Sequence, residues 1–169
     1  MTDAMTETTA PPLMQRFPEE LVSSALFLLK RLGMTAKEQS FGAYEDLGLH
    51  PYHHAILVAL DEGSRETQGA IADALGYDKG QLVGLLDDLE DAGLLERKRD
   101  PADRRRHVVR MTPAGRKTLE RLRRLSAQLE DEFLAVLNPS ERDQLHALLL
   151  RLAEEHLPRS RVAMPVHKK

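Results

Sequence analysis

The chain has 169 residues, a formal net charge of −3 and no cysteine. The length suits one compact subunit, and the lack of cysteine excludes disulfides, thiolate metal sites and thiol-based redox sensing. No apolar run approaches the roughly 20 residues of a membrane span, and the N-terminus lacks a basic region followed by an apolar stretch. We therefore expect a cytoplasmic protein that has no membrane partner.

The N-terminal part of the chain predicts a tail followed by a helix. Residues 1–16 are rich in Thr, Ala and Pro and have almost no periodic apolar pattern, which is typical of a mobile tail. From Pro18 the apolar residues recur every three or four positions, which predicts an amphipathic helix with proline in its first turn. Its apolar face comprises Leu21, Ala25, Leu28, Leu29 and Leu32. Gly33 is a possible break, after which the helix would resume through Phe41 and Tyr44.

A further helix is predicted from Pro51 to Leu60, with His50, His53 and His54 around its start. Its inward-facing residues would be Ile56, Leu57 and Leu60. The histidines allow two interpretations: an effector-binding or protonation site, or a half-buried His54 satisfied by a backbone carbonyl beside an exposed His50. His50 and His54 are one turn apart, but no carboxylate completes a ligand set at obvious spacing. We therefore predict neither a metal nor a cofactor.

The segment from Thr67 to Asp91 predicts two short helices joined by a tight turn. Their apolar faces comprise Ile71 and Leu75 before the turn and Leu82, Leu85, Leu86 and Leu89 after it. Gly76 suits the left-handed conformation that ends the first helix, and Asp78 can cap the second in a capping box with Gln81. Two short helices across a three-residue connection indicate a helix-turn-helix.

A basic hairpin is predicted after Gly93, which stops the second helix. Leu94 to Arg99 forms one predicted strand, and alternating residues from Arg106 to Met111 form the other. Residues 94–110 contain seven Lys and Arg against three acids. A localised basic stripe of this kind favours nucleic acid despite the negative total charge, although solvated hairpin charges are the alternative. Ser64 to Glu66 could add a short third strand.

Two helices are predicted after the hairpin. The first runs from Pro113 to Leu137, and Asn138, Pro139 and Glu141 supply the cap, first-turn proline and capping-box acid of the second. Their apolar stripes comprise Leu119, Leu122, Leu125, Leu129, Phe133 and Val136, and then Leu145, Leu148, Leu149 and Leu152. A small winged domain cannot cover so much apolar surface, so we expect a second copy to cover it. An intramolecular three-helix bundle in a monomer is the alternative.

The order of these motifs resembles the MarR family of bacterial winged-helix regulators. The helix-turn-helix is followed by Gly-Leu-Leu-Glu-Arg, then Asp-Pro-x-Asp-Arg-Arg, then Met-Thr-Pro-Ala-Gly-Arg, and the likeness runs from Leu47 to Leu122 at motif level. The resemblance implies a mainly α fold with a small β-wing, a winged helix-turn-helix domain and a helical dimerisation region from both termini. The divisions would be a tail (1–16), an N-terminal dimerisation helix region (17–46), the DNA-binding domain (47–112), C-terminal dimerisation helices (113–157) and a basic tail (158–169).

The resemblance also implies a function and its residues. The chain would be a homodimeric transcriptional regulator, expected to be a repressor, that binds a pseudo-palindromic operator in double-stranded DNA. The DNA-binding residues would be Lys79, Gly80, Gln81, Val83 and Gly84 on the second helix and Arg97, Arg99, Asp103, Arg104, Arg105 and Arg106 on the wing. Asp103 and Arg105 match the family's Asp-x-Arg pattern, whose Arg enters the minor groove and whose Asp holds it.

A small-molecule effector, aromatic or carboxylate-bearing, would bind near Tyr44, His53 and His54. His54 stands where the family usually has an apolar aromatic residue. The second helix departs from the family as well, since Gly80, Gly84 and Asp88 replace the usual Ser or Thr and Arg.

An enzyme is not predicted. The sequence has no Gly-rich phosphate loop, no Gly-x-Ser-x-Gly and no Cys nucleophile, and its seven His lie without a paired acid at metalloprotease spacing. The alternative function is a winged-helix protein-interaction module without operator specificity.

Overall fold

The structure is a computed structural model, and it describes residues 16–63, 67–100 and 107–157. The elements in chain order are α1 (Glu19–Val22), α2 (Ala25–Glu45), α3 (Pro51–Asp61), α4 (Gln68–Leu75), α5 (Lys79–Asp91), β1 (Leu95–Arg99), β2 (His107–Met111), α6 (Pro113–Phe133) and α7 (Pro139–His156). The predicted mainly α fold with a small β-wing is confirmed. The predicted tails, the possible third strand at 64–66 and wing residues 101–106 lie outside the described residues.

The chain forms two compact units, Met1–Gln39 and Ser40–Lys169. In the first unit, the predicted N-terminal helix is interrupted at Ser23 and Ser24, and α2 continues unbroken through Gly33. The Ser23 hydroxyl donates to the Glu19 carbonyl at 2.9 Å, and the Phe27 amide donates to Ser24 Oγ at 3.3 Å. The prediction of a break at Gly33 is therefore wrong. The interruption lies ten residues earlier, where the short serine side chains compete for backbone groups.

The core of the second unit lies where α3, α4, α5, β1, β2 and α6 meet. The side chains that are buried almost completely are Ile56, Leu57, Ile71, Leu82, Leu86, Leu89, Leu95, Val109, Leu119 and Leu122. Each fully buried aliphatic side chain stabilises the fold by about 1.5–3 kcal/mol. The inward positions predicted for Ile56 and Leu57 are confirmed, whereas Leu60 is half-buried and Ala59 is buried beside it.

The turn between α4 and α5 forms as the sequence predicts. Thr67 caps α4 by accepting from the Ala70 amide at 3.2 Å. Gly76 ends α4 in the left-handed region, with φ at 67°, where a residue with a Cβ would be strained. Asp78 then caps α5 by accepting from the amides of Gly80 at 2.8 Å and Gln81 at 3.2 Å. The helix-turn-helix and the Asp78 cap are confirmed.

The wing is an antiparallel pair in which Leu95 faces Met111 and Arg99 faces His107. β1 starts one residue later than predicted, because the Leu94 amide donates to the Leu89 carbonyl at 2.9 Å and continues the end of α5. The Leu94 carbonyl in turn accepts from the Thr112 amide at 3.1 Å. Thr67 adds an isolated bridge to Val108, directly after the segment for which a third strand was predicted.

The base of the wing is attached closely to the start of α6. The Thr112 hydroxyl donates to the Gly93 carbonyl at 2.7 Å and also accepts from the Gly115 amide at 3.0 Å, which caps α6. A Cβ at Gly115 would collide with the Leu94 carbonyl oxygen. Glycine at this position therefore permits the close approach of α6 to the wing.

α6 ends at Phe133, so the prediction that it reaches Leu137 is wrong. Pro139 disfavours helical geometry in the residue before it, and Asn138 is extended with ψ at 166°. The Leu137 amide bonds to the Leu134 carbonyl in a turn, and Val136 is 90% exposed. The predicted capping box of α7 is confirmed in full, with Asn138 and Glu141 each accepting from the other's amide.

Candidate nucleic-acid interface

One side of α5 is buried and the opposite side is open. Its buried residues are Leu82, Leu85, Leu86 and Leu89, which pack toward α3, α4 and β1. On the other side Lys79, Gly80, Val83 and Gly84 are exposed, while Gln81 is half-buried. A Cβ added at Gly84 would meet no described atom within 4 Å. This open face is therefore flat and carries few long side chains.

The C-terminal half of α5 is acidic, and Arg97 of β1 contacts two of its carboxylates. The Arg97 amide donates to Glu90 Oε1 at 2.9 Å and its Nε donates to Glu90 Oε2 at 2.7 Å. The same guanidinium forms an ion pair with Asp87. The Arg97 hydrogen bond holds the pKa of Glu90 below its ordinary value, and Glu90 in turn raises the pKa of Arg97.

The remaining predicted wing residues divide between described and undescribed positions. Arg99 is exposed at the end of β1, whereas Asp103, Arg104, Arg105 and Arg106 lie outside the described residues. Arg110 is a further exposed cation on β2 that the predicted set omits. Its alternation with the buried Val109 and Met111 was the signal in the sequence that could have indicated it.

His53 lies between α3 and α5. Its side chain is only 3% exposed, its ring stacks on that of His50 with 3.9 Å between centroids, and its Nε2 lies 3.6 Å from Asp88 Oδ2. Burial, together with His50, lowers the pKa of His53 to about 4, although Asp88 opposes this shift. His53 is therefore neutral near pH 7 and contacts the helix that carries the open face.

His54 faces Tyr44 at the C-terminal end of α2. The Tyr44 hydroxyl and His54 Nδ1 are 2.7 Å apart, so the partner of His54 is a phenol and not a backbone carbonyl. Burial lowers the pKa of His54, and Arg123 adds to this shift. Burial also raises the pKa of Tyr44, against a hydrogen bond from Ser126. His50 is half-buried and stacked on Phe41, so its predicted exposure is wrong.

These contacts bring the three predicted ligand residues to one end of α3, but on two sides of it. Tyr44 and His54 form one pair, while His53 turns toward α5.

Within the described residues, no group of three or more His, Cys, Asp or Glu is placed to hold a metal ion. None of the helices in the described part of the chain has the length and hydropathy of a membrane span.

Comparison with known proteins identifies the family. The sequence profile of the MarR family matches residues 47–106. The transcriptional repressor CouR, in a structure bound to a 23-mer DNA duplex, is 34% identical with a TM-score of 0.73, over 80% of this chain and 96% of that chain. This chain belongs to the MarR family. Its relatives are transcriptional regulators and not enzymes, and it is a DNA-binding winged-helix regulator.

Two other similar structures involve small molecules, and one relative is linked to an operon. CouR from Rhodococcus jostii RHA1, bound to p-coumaroyl-CoA, is 28% identical with a TM-score of 0.66, over 79% of this chain and 94% of that chain. Bordetella bronchiseptica BpsR, whose DNA binding is regulated by 6-hydroxynicotinic acid, is 25% identical with a TM-score of 0.70, over 82% and 99%. A putative regulatory protein for the hcr operon of Thauera aromatica is 33% identical, over 62% of this chain and 63% of that protein.

The buried His53 predicts a loss of stability in mild acid. Its pKa is about 4 in the folded chain and 6.5 ordinarily, so below pH 6.5 the unfolded chain binds a proton that the folded chain excludes. The free energy of unfolding should fall by roughly 3 kcal/mol as pH drops from 6.5 to 4 because of this one group. Urea denaturation of the wild type and of His53→Gln across this range measures the difference. Parallel pH profiles for the two proteins would contradict the assignment.

Proposed function

We propose that the chain is a homodimeric repressor that binds a pseudo-palindromic operator and releases it when a small molecule binds. The observation that carries the proposal is that the open face of α5 lies beside a basic wing. A relative in the same family is bound to a DNA duplex, which supports the same proposal. A two-fold dimer sets its recognition helices about one turn of DNA apart, so the half-sites would be centred about 10 base pairs from each other. Such a protein would act in the cytoplasm.

The open face of α5 offers few groups for reading bases. Gln81 can pair with adenine, Lys79 with guanine or phosphate, and Val83 can contact a thymine methyl. Gly80 and Gly84 would let the helix backbone approach the DNA closely. Affinity should therefore come largely from the wing and the phosphates, with a steep dependence on salt concentration.

A second candidate is a protein-interaction module without operator specificity. The observation that favours it is the acidic C-terminal half of α5, where Asp88 is exposed and faces a neutral histidine. Carboxylates on a DNA-facing helix oppose phosphate binding unless cations neutralise them. The two functions differ in whether the chain prefers one DNA sequence over another.

We expect Arg105→Ala to weaken binding of the operator by more than about tenfold, because an arginine loses little hydration in the negative potential of a narrow minor groove. The probe is a duplex that the wild-type chain selects from a random-sequence pool, and a scrambled duplex of equal length is measured beside it by fluorescence anisotropy. Arg124→Ala, which removes an exposed arginine from α6, is the matched control.

The outcomes separate the two candidate functions. Loss of affinity in Arg105→Ala alone supports the wing assignment, and equal affinities for Arg105→Ala and the wild type would show that it is wrong. Equal affinity of the wild type for selected and scrambled duplexes would favour the protein-interaction module.

The support for a second copy is the apolar surface of α7. This helix has no buried residue in the single chain, and Leu148, Leu149 and Leu152 on its apolar face are 55%, 38% and 47% exposed. An intramolecular bundle would bury such a face, and each leucine left in water forgoes about 1.5–3 kcal/mol. We therefore propose that segments 17–46 and 113–157 form the dimer interface.

Two glutamates on α7 should produce a monomer. Leu148 and Leu152 are one turn apart, so Leu148→Glu combined with Leu152→Glu puts two carboxylates on the proposed interface. Sedimentation velocity of the wild type should give a dimer, and the variant should sediment as a monomer. The control combines His146→Glu with Ala147→Glu, which adds two carboxylates to exposed positions of α7 away from the face of Leu148 and Leu152. An intact dimer of the leucine variant would place the interface elsewhere.

The effector proposal rests on the Tyr44 and His54 pair. A phenol and an imidazole with a buried Nε2 that has no hydrogen-bond partner among the described residues suit an aromatic ligand that carries a carboxylate or another acceptor. Two similar proteins respond to or bind aromatic molecules, since CouR is bound to p-coumaroyl-CoA and 6-hydroxynicotinic acid regulates the DNA binding of BpsR. His53 lies at the same end of α3 but faces Asp88 of α5, so the proposed site rests on Tyr44 and His54.

Replacing His54 should impair release from DNA. We expect 6-hydroxynicotinic acid or p-coumaroyl-CoA to dissociate the wild-type complex, and His54→Phe to raise the concentration required by about tenfold, because one buried hydrogen bond is lost. Titrating each molecule into the anisotropy assay measures this. His146→Phe, at an exposed position of α7 away from its leucine face, is the control. Release of His54→Phe at the wild-type concentration would show that the pocket lies elsewhere, and failure of both molecules to act would refute the proposed effector class.

A further inference from the structure

The geometry points to Arg97 as a positioning residue that fixes β1, the first wing strand, on α5, the proposed recognition helix, and not as a contact to DNA phosphate. The inference rests on the proposed DNA binding and changes the role that the sequence predicts for this residue. We name the three residues Arg97, Glu90 and Asp87 the Arg97 bridge.

The Arg97 bridge holds the strand by both its backbone and its side chain. The backbone amide and Nε of Arg97 donate to the two oxygens of Glu90, at 2.9 and 2.7 Å. One terminal nitrogen of the guanidinium, Nη2, pairs with Asp87, which lies one turn before Glu90 on α5. The Arg97 side chain is only 22% exposed. Its Nε and Nη2 therefore face carboxylates before any DNA arrives.

The bridge contributes to the direction in which β1 leaves α5. The start of β1 is fixed by the buried Leu95 and by the Leu94 carbonyl, which accepts from Thr112. Arg97 adds the second point of attachment, two residues further along the strand. Together with the pairing of β1 and β2, these two attachments set the path of β1 toward Arg99.

The same bridge reduces the negative charge of the recognition helix. Asp87 and Glu90 belong to its acidic C-terminal half, and pairing with a cation lowers their repulsion of phosphates. The two roles of Arg97 therefore predict opposite changes in DNA affinity when the charge of Glu90 is removed. If Arg97 bound phosphate, removal of the Glu90 charge would strengthen DNA binding. If Arg97 positions the wing, removal of that charge weakens DNA binding although the protein becomes more positive.

The experiment measures the affinity of four variants for the selected duplex by anisotropy at 25 °C, together with their Tm. The variants are Arg97→Gln, Glu90→Gln, the double variant that combines them, and Arg97→Lys. We expect each of the two single Gln variants to lose about tenfold in affinity, and the double variant to lose no more than either, because both changes break one interaction. Arg97→Lys should also lose affinity, since an ammonium cannot reproduce the planar fork.

The control is Arg123→Gln, which breaks the ion pairs of an α6 arginine with Asp61 of α3 and with Glu120 of α6. It should lower Tm at most and leave the affinity at 25 °C unchanged. Tighter binding by Glu90→Gln, additive losses in the double variant, or full affinity of Arg97→Lys would each overturn the inference in favour of a phosphate contact. Lower Tm with unchanged affinity in the Gln variants would also overturn it. Failure of the wild type to bind any selected duplex would instead refute the proposed function.

Discussion

The burial of one face of α5 is the constraint on which the rest of the site depends. Leu82, Leu86 and Leu89 are removed almost completely from water, and together they favour this orientation by several kcal/mol. Because a helix is rigid, fixing these residues also fixes which residues face outward. Packing in the core therefore determines which residues of α5 form the open face, but it does not determine the chemistry of those residues.

The acidic residues of α5 oppose DNA binding, and neighbouring elements offset this effect. α5 carries acids where a DNA-binding helix would ordinarily carry cations, and two of these acids pair with Arg97 of β1 while a third faces His53 of α3. The carboxylates of α5 thus attach the helix to the wing on one side and face α3 on the other. Polar groups with directed partners fix relative orientation more narrowly than apolar contacts do, because hydrogen bonds tolerate little displacement.

Sequence reasoning predicted the parts of the fold that local chemistry determines. The turn at Gly76, the Asp78 cap and the capping box of α7 follow from residues within a few positions of each other, and the apolar periodicity indicates which faces are buried. It failed at Ser23 and Ser24 and beyond Phe133, where several local conformations compete with helix. It also could not assign partners across the fold. Nothing in the spacing of Arg97, Glu90 and Asp87 distinguishes a bridge from a row of solvated charges.

The two neighbouring histidines of α3 connect the proposed effector site to the recognition helix. His54 meets Tyr44 of α2, while His53 turns toward Asp88 of α5. Both histidines belong to α3, whose buried Ile56 and Leu57 pack in the same core as the leucines of α5. A ligand that separated Tyr44 from His54 would act on α3 as a whole, because a helix packed in a dense core moves as one body. The side of α3 that contacts α5 would move with it, so coupling between the two sites needs no further element.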